Sequence, residues 1–225
     1  MELSEDTLSV LKNFSGINQN ILINSGNTIK TISEARNVLA TAHVTEEFEQ
    51  NFGIYDLNEF IGVLGLVDSP RLKFESEHVT IGDSTGRSKV KYFFSSEETL
   101  TTPSKDINMP SADVSFTLTN DTLNKLKRAA STLGHDELSI TGKDGVLSLS
   151  VIDNQNSTSN TFSIDIDGEF KPDISFNFIL SISNLKILPG DYQVDISSKL
   201  ITQFKNNNVN VTYWIALEKT SVFGV

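Results

Sequence analysis

The feature that most constrains this chain is an approximate internal repeat. Three stretches share one order of events: a short apolar strand, a polar cap, a helix, then strands and turns. The first runs Phe52-Gly53-Ile54-Tyr55-Asp56-Leu57-Asn58 into a helix from Glu59 to Val67. The second runs Val114-Ser115-Phe116-Thr117-Leu118-Thr119-Asn120 into Asp121 through Leu133. The third runs Ile174-Ser175-Phe176-Asn177-Phe178-Ile179-Leu180 into a shorter helix at Ser183 to Leu188. Ile54, Val114 and Ile174 mark even steps. Ahead of them, Ser4 to Ile17 supplies a fourth helix whose leading strand is cut to Met1-Glu2-Leu3. Four units of similar length, paired two by two, predict two similar domains.

The local patterns agree with that division. Leu3, Thr7, Val10, Leu11, Phe14 and Ile17 recur at helical spacing, and Ser4 can cap the free amides. Leu123, Leu126, Ala130 and Leu133 form a second stripe, with Asn120 or Asp121 as cap and Gly134 as stop. The helix from Glu59 is apolar on most of its surface and carries two glycines, so it should be short and well buried. Pro189-Gly190 stops the fourth. Val209, Val211, Tyr213, Ile215 and Leu217 alternate as a half-buried strand does, as do Phe162, Ile164 and Ile166. Asp144-Gly145 between two alternating runs reads as a tight hairpin. Sheets with helices on one face make the fold class α+β. Ser95 to Ser111, rich in Ser, Thr, Asp and Glu with Pro103 and Pro110, falls where a domain connector belongs. Its Leu100, Ile107 and Met109 suggest a segment laid along a surface.

Composition narrows the function. The 225 residues are 38% hydrophobic and include 14 Phe, enough for a core. Cysteine is absent, which rules out a disulfide framework or thiolate zinc site and fits a reducing cytoplasm. The acidic start Met1-Glu2-Leu3-Ser4-Glu5-Asp6 lacks the pattern of a secretory signal, and no apolar run is long enough for a spanning helix. Net charge is −11, which by itself weighs mildly against nucleic acid; a protein that keeps its few cations on one face escapes that argument.

Blocks along the chain resemble the sliding clamps of tailed bacteriophages. They are Leu3-Ser4-Glu5-Asp6-Thr7 with Leu11-Lys12-Asn13-Phe14 and Ile17-Asn18, then Ile54 through Leu64. The third is Phe176-Asn177-Phe178-Ile179 with Asn184-Leu185-Lys186 and Pro189-Gly190-Asp191-Tyr192. The resemblance implies a DNA-clamp fold of two domains, each built from two strand-helix-three-strand units, with boundaries at 1–108 and 109–225 and a connector at about 95–111. It implies three chains joined head to tail in a ring, helices lining the hole and sheets outside, closed round duplex DNA without regard to sequence. The implied partners are a DNA polymerase, a clamp loader and, for some relatives, the transcription machinery. The implied place of action is the cytoplasm of the infected host cell.

Such a clamp needs mobile cations on helices that face the duplex, drawn to phosphates but making no base contacts. Lys125, Lys127 and Arg128 on the third helix, Lys12 on the first and Lys186 on the fourth are the expected DNA-facing set. Glu5 and Asp6 weaken that lining and the second helix adds no base. Ile107 and Met109 in the connector, and Val222 and Phe223 near the end, are candidates for docking a partner's tail, with ordinary packing an equal alternative.

No catalytic, cofactor or metal site is expected. His43, His78 and His135 have no ligand spacing. Gly82-Asp83-Ser84-Thr85-Gly86-Arg87-Ser88 lacks the spacing and lysine of a phosphate loop and reads as a strand-to-strand turn. Asp165-Ile166-Asp167-Gly168 lacks the rest of a calcium loop and reads as a turn too. The rival reading is a phage structural or assembly module, equally acidic and site-free but with strands where this chain has helices.

Overall fold

The computed structural model, which describes residues 1–156 and 158–224, begins its first helix where the sequence supplies a cap. The Ser4 side chain accepts from the Thr7 amide and opens α1 (Glu5–Ser15), whose Val10, Leu11 and Phe14 are buried. Three strands follow: β1 (Ile21–Ile23), β2 (Gly26–Ile32) and β3 (Val38–Phe48). The second repeat opens on β4 (Phe52–Ile54), then α2 (Leu57–Leu64), β5 (Arg71–Phe74), β6 (His78–Gly82) and β7 (Lys89–Phe93). These elements make up one compact unit, Met1–Lys105.

The other unit, Asp106–Val225, repeats the pattern. Its first half is β8 (Val114–Leu118), α3 (Asn120–Leu133), β9 (Glu137–Lys143), β10 (Val146–Ile152) and β11 (Phe162–Ile166). After β12 (Gly168–Phe170) comes the second half: β13 (Phe176–Ser181), a single 3-10 turn at Ile182–Asn184, β14 (Tyr192–Ser197), β15 (Ile201–Asn206) and β16 (Val211–Ala216). β17 (Val222–Phe223) ends the described chain.

Within each unit the repeats trade their leading strands. β4, which opens the second repeat, pairs antiparallel with β1 of the first. The stub ahead of α1 answers by lying on β5 of the second, through a bridge from Glu2 to Arg71 and backbone hydrogen bonds joining Met1 and Leu72 in both directions. In the C-terminal unit β13 pairs with β9, and β8 pairs with β14. One sheet there runs β11-β10-β9-β13-β17 and the other contains the run β12-β8-β14-β15-β16. Helix α3 packs on β10 and β11, and α1 on α2.

Several expectations need correcting. The fourth helix does not form. Ile182, Leu185, Ile187 and Leu188 are all buried and at about 100° per residue would be spread round a helix between exposed Ser183 and Lys186, leaving no continuous polar face. The peptide of Leu188 is also taken up by two core tyrosines, its N–H donating to the Tyr213 hydroxyl and its C=O accepting from Tyr192. Pro189 next to it favours extended backbone at Leu188. The third leading strand starts at Phe176, two residues beyond Ile174, and Val209 lies outside β16. The cap of α3 is Thr119, whose hydroxyl accepts from the Thr122 amide, so Asn120 and Asp121 are already inside the helix. Helix α2 is short but not well buried, since Asn58, Glu59, Gly62 and Gly65 are exposed. Asp167 is no hairpin turn. It is the single residue by which the chain leaves β11 in one sheet and enters β12 in the other.

Other local readings hold. Asp144 and Gly145, with φ of 52° and 81°, make the tight turn between β9 and β10. The 83–88 segment joins β6 to β7, with the Asp83 carboxylate accepting from the amides of Thr85, Arg87 and Ser88.

Two glycines give opposite predictions. A Cβ on Gly142 of β9 would overlap the Phe176 ring and crowd Phe170. Gly142→Ala should therefore cost about 1–3 kcal/mol in chemical denaturation, the usual range for overpacking a filled core. A Cβ on Gly62 of α2 meets nothing within 4 Å. Gly62→Ala should raise stability by about 0.5–1 kcal/mol, the helix-propensity gap between the two residues.

Candidate nucleic-acid interface

The outward faces of the three helices carry the candidate chemistry. On α3 the exposed residues are Asp121, Asn124, Lys125, Arg128, Ser131 and Thr132, a stripe at three- and four-residue spacing opposite buried Leu123, Leu126 and Ala130. Lys125 Nζ lies 2.7 Å from the Asp121 carboxylate one turn back. An exposed pair of this kind is worth only a few tenths of a kcal/mol, about 0.3–0.5, so the ammonium exchanges readily for a passing phosphate. Lys125 and Arg128 also rim an open cleft of about 470 Å³, lined by Ala129, Thr132, Leu133, Thr161 and Phe162.

Lys127 lies off this stripe. Placed four residues after Leu123 and three before Ala130, it is half-buried, and burial lowers its pKa. Its stem covers apolar surface while its charge reaches out from the flank. Lys12 is exposed in the last turn of α1, on a stripe with Glu5, Ser9 and Gly16. Lys186 is exposed, but the backbone beneath it is irregular and not helical. The structure thus puts Lys125 and Arg128 on one face, sets Lys127 beside it, and leaves Lys12 and Lys186 on other elements. Asn124 and Ser131, which complete the α3 face, were legible from the same periodicity but were passed over because they carry no charge.

The start of α1 is fixed from the sheet. The Glu46 carboxylate on β3 accepts from the Ser4 amide and the Thr7 hydroxyl, so one acid secures two groups at the helix start. Burial alone would raise the pKa of Glu46. The hydrogen bonds from Thr7 and Ser4 more than offset that and hold it below its ordinary value.

The tail-docking candidates fall in the C-terminal unit. Ile107 and Met109 are half-buried and Val222 is exposed. Phe223 is half-buried, its ring stacked on Phe178 with centroids 5.9 Å apart. The start of the connector is anchored in the N-terminal unit. Ser95 donates to the Gly53 carbonyl, and Thr101 is held through its C=O by Asn18 and through its N–H by Asn20.

Residues 4–102 match the family model described as DNA polymerase processivity factor, and residues 115–219 match that described as gp45 sliding clamp, C terminal. The sliding clamp of Vibrio phage KVP40 is 32% identical over 97% of this chain and 99% of its own length. Those of Escherichia phage RB69 and Enterobacteria phage T4 are 31% and 30% identical, each over 98% of both chains. The chain belongs to the phage sliding-clamp family.

The clamp is a DNA polymerase processivity factor and not an enzyme, which sets aside the reading as a structural module. It has the PCNA-like DNA-clamp fold. The proliferating cellular nuclear antigen of Entamoeba histolytica superposes with a TM-score of 0.69 at 13% identity, covering 96% of this clamp and 97% of that chain. The PCNA2–PCNA3 complex of Sulfolobus tokodaii gives 0.66, also at 13% identity, covering 97% and 98%. Among the described residues of the clamp, no group of His, Asp and Glu could hold a metal ion, and no helix is long and apolar enough to cross a membrane.

Two further features of the clamp went unread in the sequence because they depend on which strands end a sheet. β7 ends the sheet β5-β6-β7 and exposes Lys89, Lys91 and Phe93, the last 64% open. β11 ends its own sheet and exposes Ser163 and Asp165, with Asp167 following.

The Glu46 contacts have a pH signature. Because its folded pKa is depressed, the stability it contributes is complete above the ordinary value of 4.5 and is lost as pH falls through the lower folded value. Hydrogen exchange should show the first turn of α1 opening on acidification through that window. Glu46→Gln should open the turn already at neutral pH and flatten the dependence.

Proposed function

We propose that three copies of this clamp close head to tail into a ring round duplex DNA and tether a replicative polymerase to it. The two domains of each copy are 1–108 and 109–225, with α1, α2 and α3 turned to the hole and the sheets outward. Lys12, Lys125, Lys127, Arg128 and Lys186 face the duplex. Ile107 and Met109, with Val222 and Phe223, offer docking surface for the tail of the polymerase or of a clamp loader. The ring works in the cytoplasm of the infected host cell.

The observation that carries the ring is the pair of unlike sheet ends. A strand at a sheet edge leaves backbone donors and acceptors open to another chain, and proteins that stay monomeric blunt such edges. Here one open edge carries Lys89 and Lys91 and the other carries Asp165 with Asp167 beyond it. Unlike edges on the two units of one chain support a heterologous joint, which forms a ring when the rotation closes. Opposite charges favour the joint between unlike edges and oppose pairing of like with like. The exposed Phe93 on one edge, and half-buried Phe162, Ile164 and Ile166 on the other, add apolar surface for it to bury.

Light scattering behind a sizing column should give about three times the 24.8 kDa chain mass, falling towards the monomer on dilution. Lys89→Glu with Lys91→Glu should yield monomers, and mixing that variant with Asp165→Lys/Asp167→Lys should restore a joint. A monomer at every concentration in the unaltered protein would overturn the ring. In a primer-extension assay, Lys125→Ala with Arg128→Ala should shorten products while the trimer persists.

A further inference from the structure

We infer that phosphate tracking is confined to the C-terminal unit of this clamp, and that the helices of the N-terminal unit present the duplex with a surface that repels it. The inference rests on the proposed ring and concerns which part of its lining holds DNA.

The charges divide by unit. In the C-terminal unit Lys125, Lys127 and Arg128 on α3 and Lys186 after the 3-10 turn stand against a single helical acid, Asp121, which is already bridged to Lys125. On the helices of the N-terminal unit the exposed charges are Glu5 and Asp6 on α1 and Glu59 on α2, against Lys12 alone. The rest of the outward face of α2 is Asn58 and Gly62, so it contributes no cation. The Glu46 carboxylate adds a further negative charge behind the start of α1.

The acids of α1 are placed where the helix keeps them. Glu5 and Asp6 occupy its first turn, where the N-terminal end of the helix dipole favours negative charge. At physiological salt, charges act over about 8 Å, so a phosphate beside α1 and α2 responds chiefly to the charges on those helices. Sectors that attract would then alternate with sectors that repel around the hole. A duplex held by some sectors and pushed from others stays bound through few phosphate contacts, which suits a ring that must slide.

The division is testable on a short linear duplex, which a ring can thread from its ends, with binding followed by fluorescence anisotropy across a salt series. Glu5→Gln with Glu59→Gln should tighten binding severalfold. Gly62→Lys, at a position where a side chain meets no neighbour, should also tighten it and steepen the dependence of log K on log salt by about one. Lys125→Ala with Arg128→Ala should weaken binding about tenfold or more and make that slope shallower by about one to two. The inference is overturned if removing the acids or adding Lys at 62 leaves affinity unchanged, or if the α3 double variant binds like the parent. Failure of the parent protein to form a trimer, or to bind duplex at low salt, would instead count against the ring itself.

Discussion

Everything in each unit depends on the exchange of leading strands between its two repeats. β13 belongs by sequence to the second half of the C-terminal unit, yet lies on β9 of the first, while β8 makes the opposite journey to β14. Neither half can complete its sheet alone, so the repeats fold as a pair. Helix α3 does not follow β8 into its new sheet but packs on β10 and β11 of its own repeat. The same trade in the N-terminal unit explains why so short a stub as Met1–Leu3 has a structural role. It stands where a leading strand would and lies along β5. That leaves β7 as the open edge.

An acidic protein that works on DNA poses an electrostatic problem, and the distribution of charge answers it. Bases on the α3 face sit over a sheet whose exposed positions include Asp165, so attraction is local while the molecule as a whole, at a net charge of −11, repels nucleic acid. Weak local attraction suits the proposed ring, whose hold on DNA would be topological. The other conspicuous cations, Lys89 and Lys91, are set on an edge strand, where the pleat points them away from the buried Val79 and Ile81 of neighbouring β6. Counting charges along the chain merges these two populations, although the fold gives them different surroundings.

Much of the candidate site was legible because α3 is long, capped and strongly periodic. The spacing of Leu123, Leu126 and Ala130 fixes which residues turn outward, and Lys125 and Arg128 follow from it. Lys127 stands beside that face and not on it. Its neighbour Arg128 is on the outer face and its neighbour Leu126 is buried, and a residue one step along a helix from each is turned by about 100° and lands on the flank. The repeat, with its stop at Pro189-Gly190, places Lys186 on a helix from Ser183 to Leu188. Nothing in that stretch announces that Tyr192 and Tyr213, from two later strands, take both backbone groups of Leu188.

The sequence by itself determined the number of repeats, the position of the helices it caps well, the hairpin at Asp144-Gly145 and, through blocks of residues shared with phage clamps, the family. These are local or near-local matters, set by side-chain periodicity and turn chemistry within a few residues. The tertiary structure alone decided which strands pair across repeats, which edges stay open, and that Ile182 to Leu188 is coil. Each of those outcomes depends on backbone hydrogen bonds between residues tens of positions apart, and hydrogen-bonding groups are the same at every residue, so no local pattern of side chains can announce their partners.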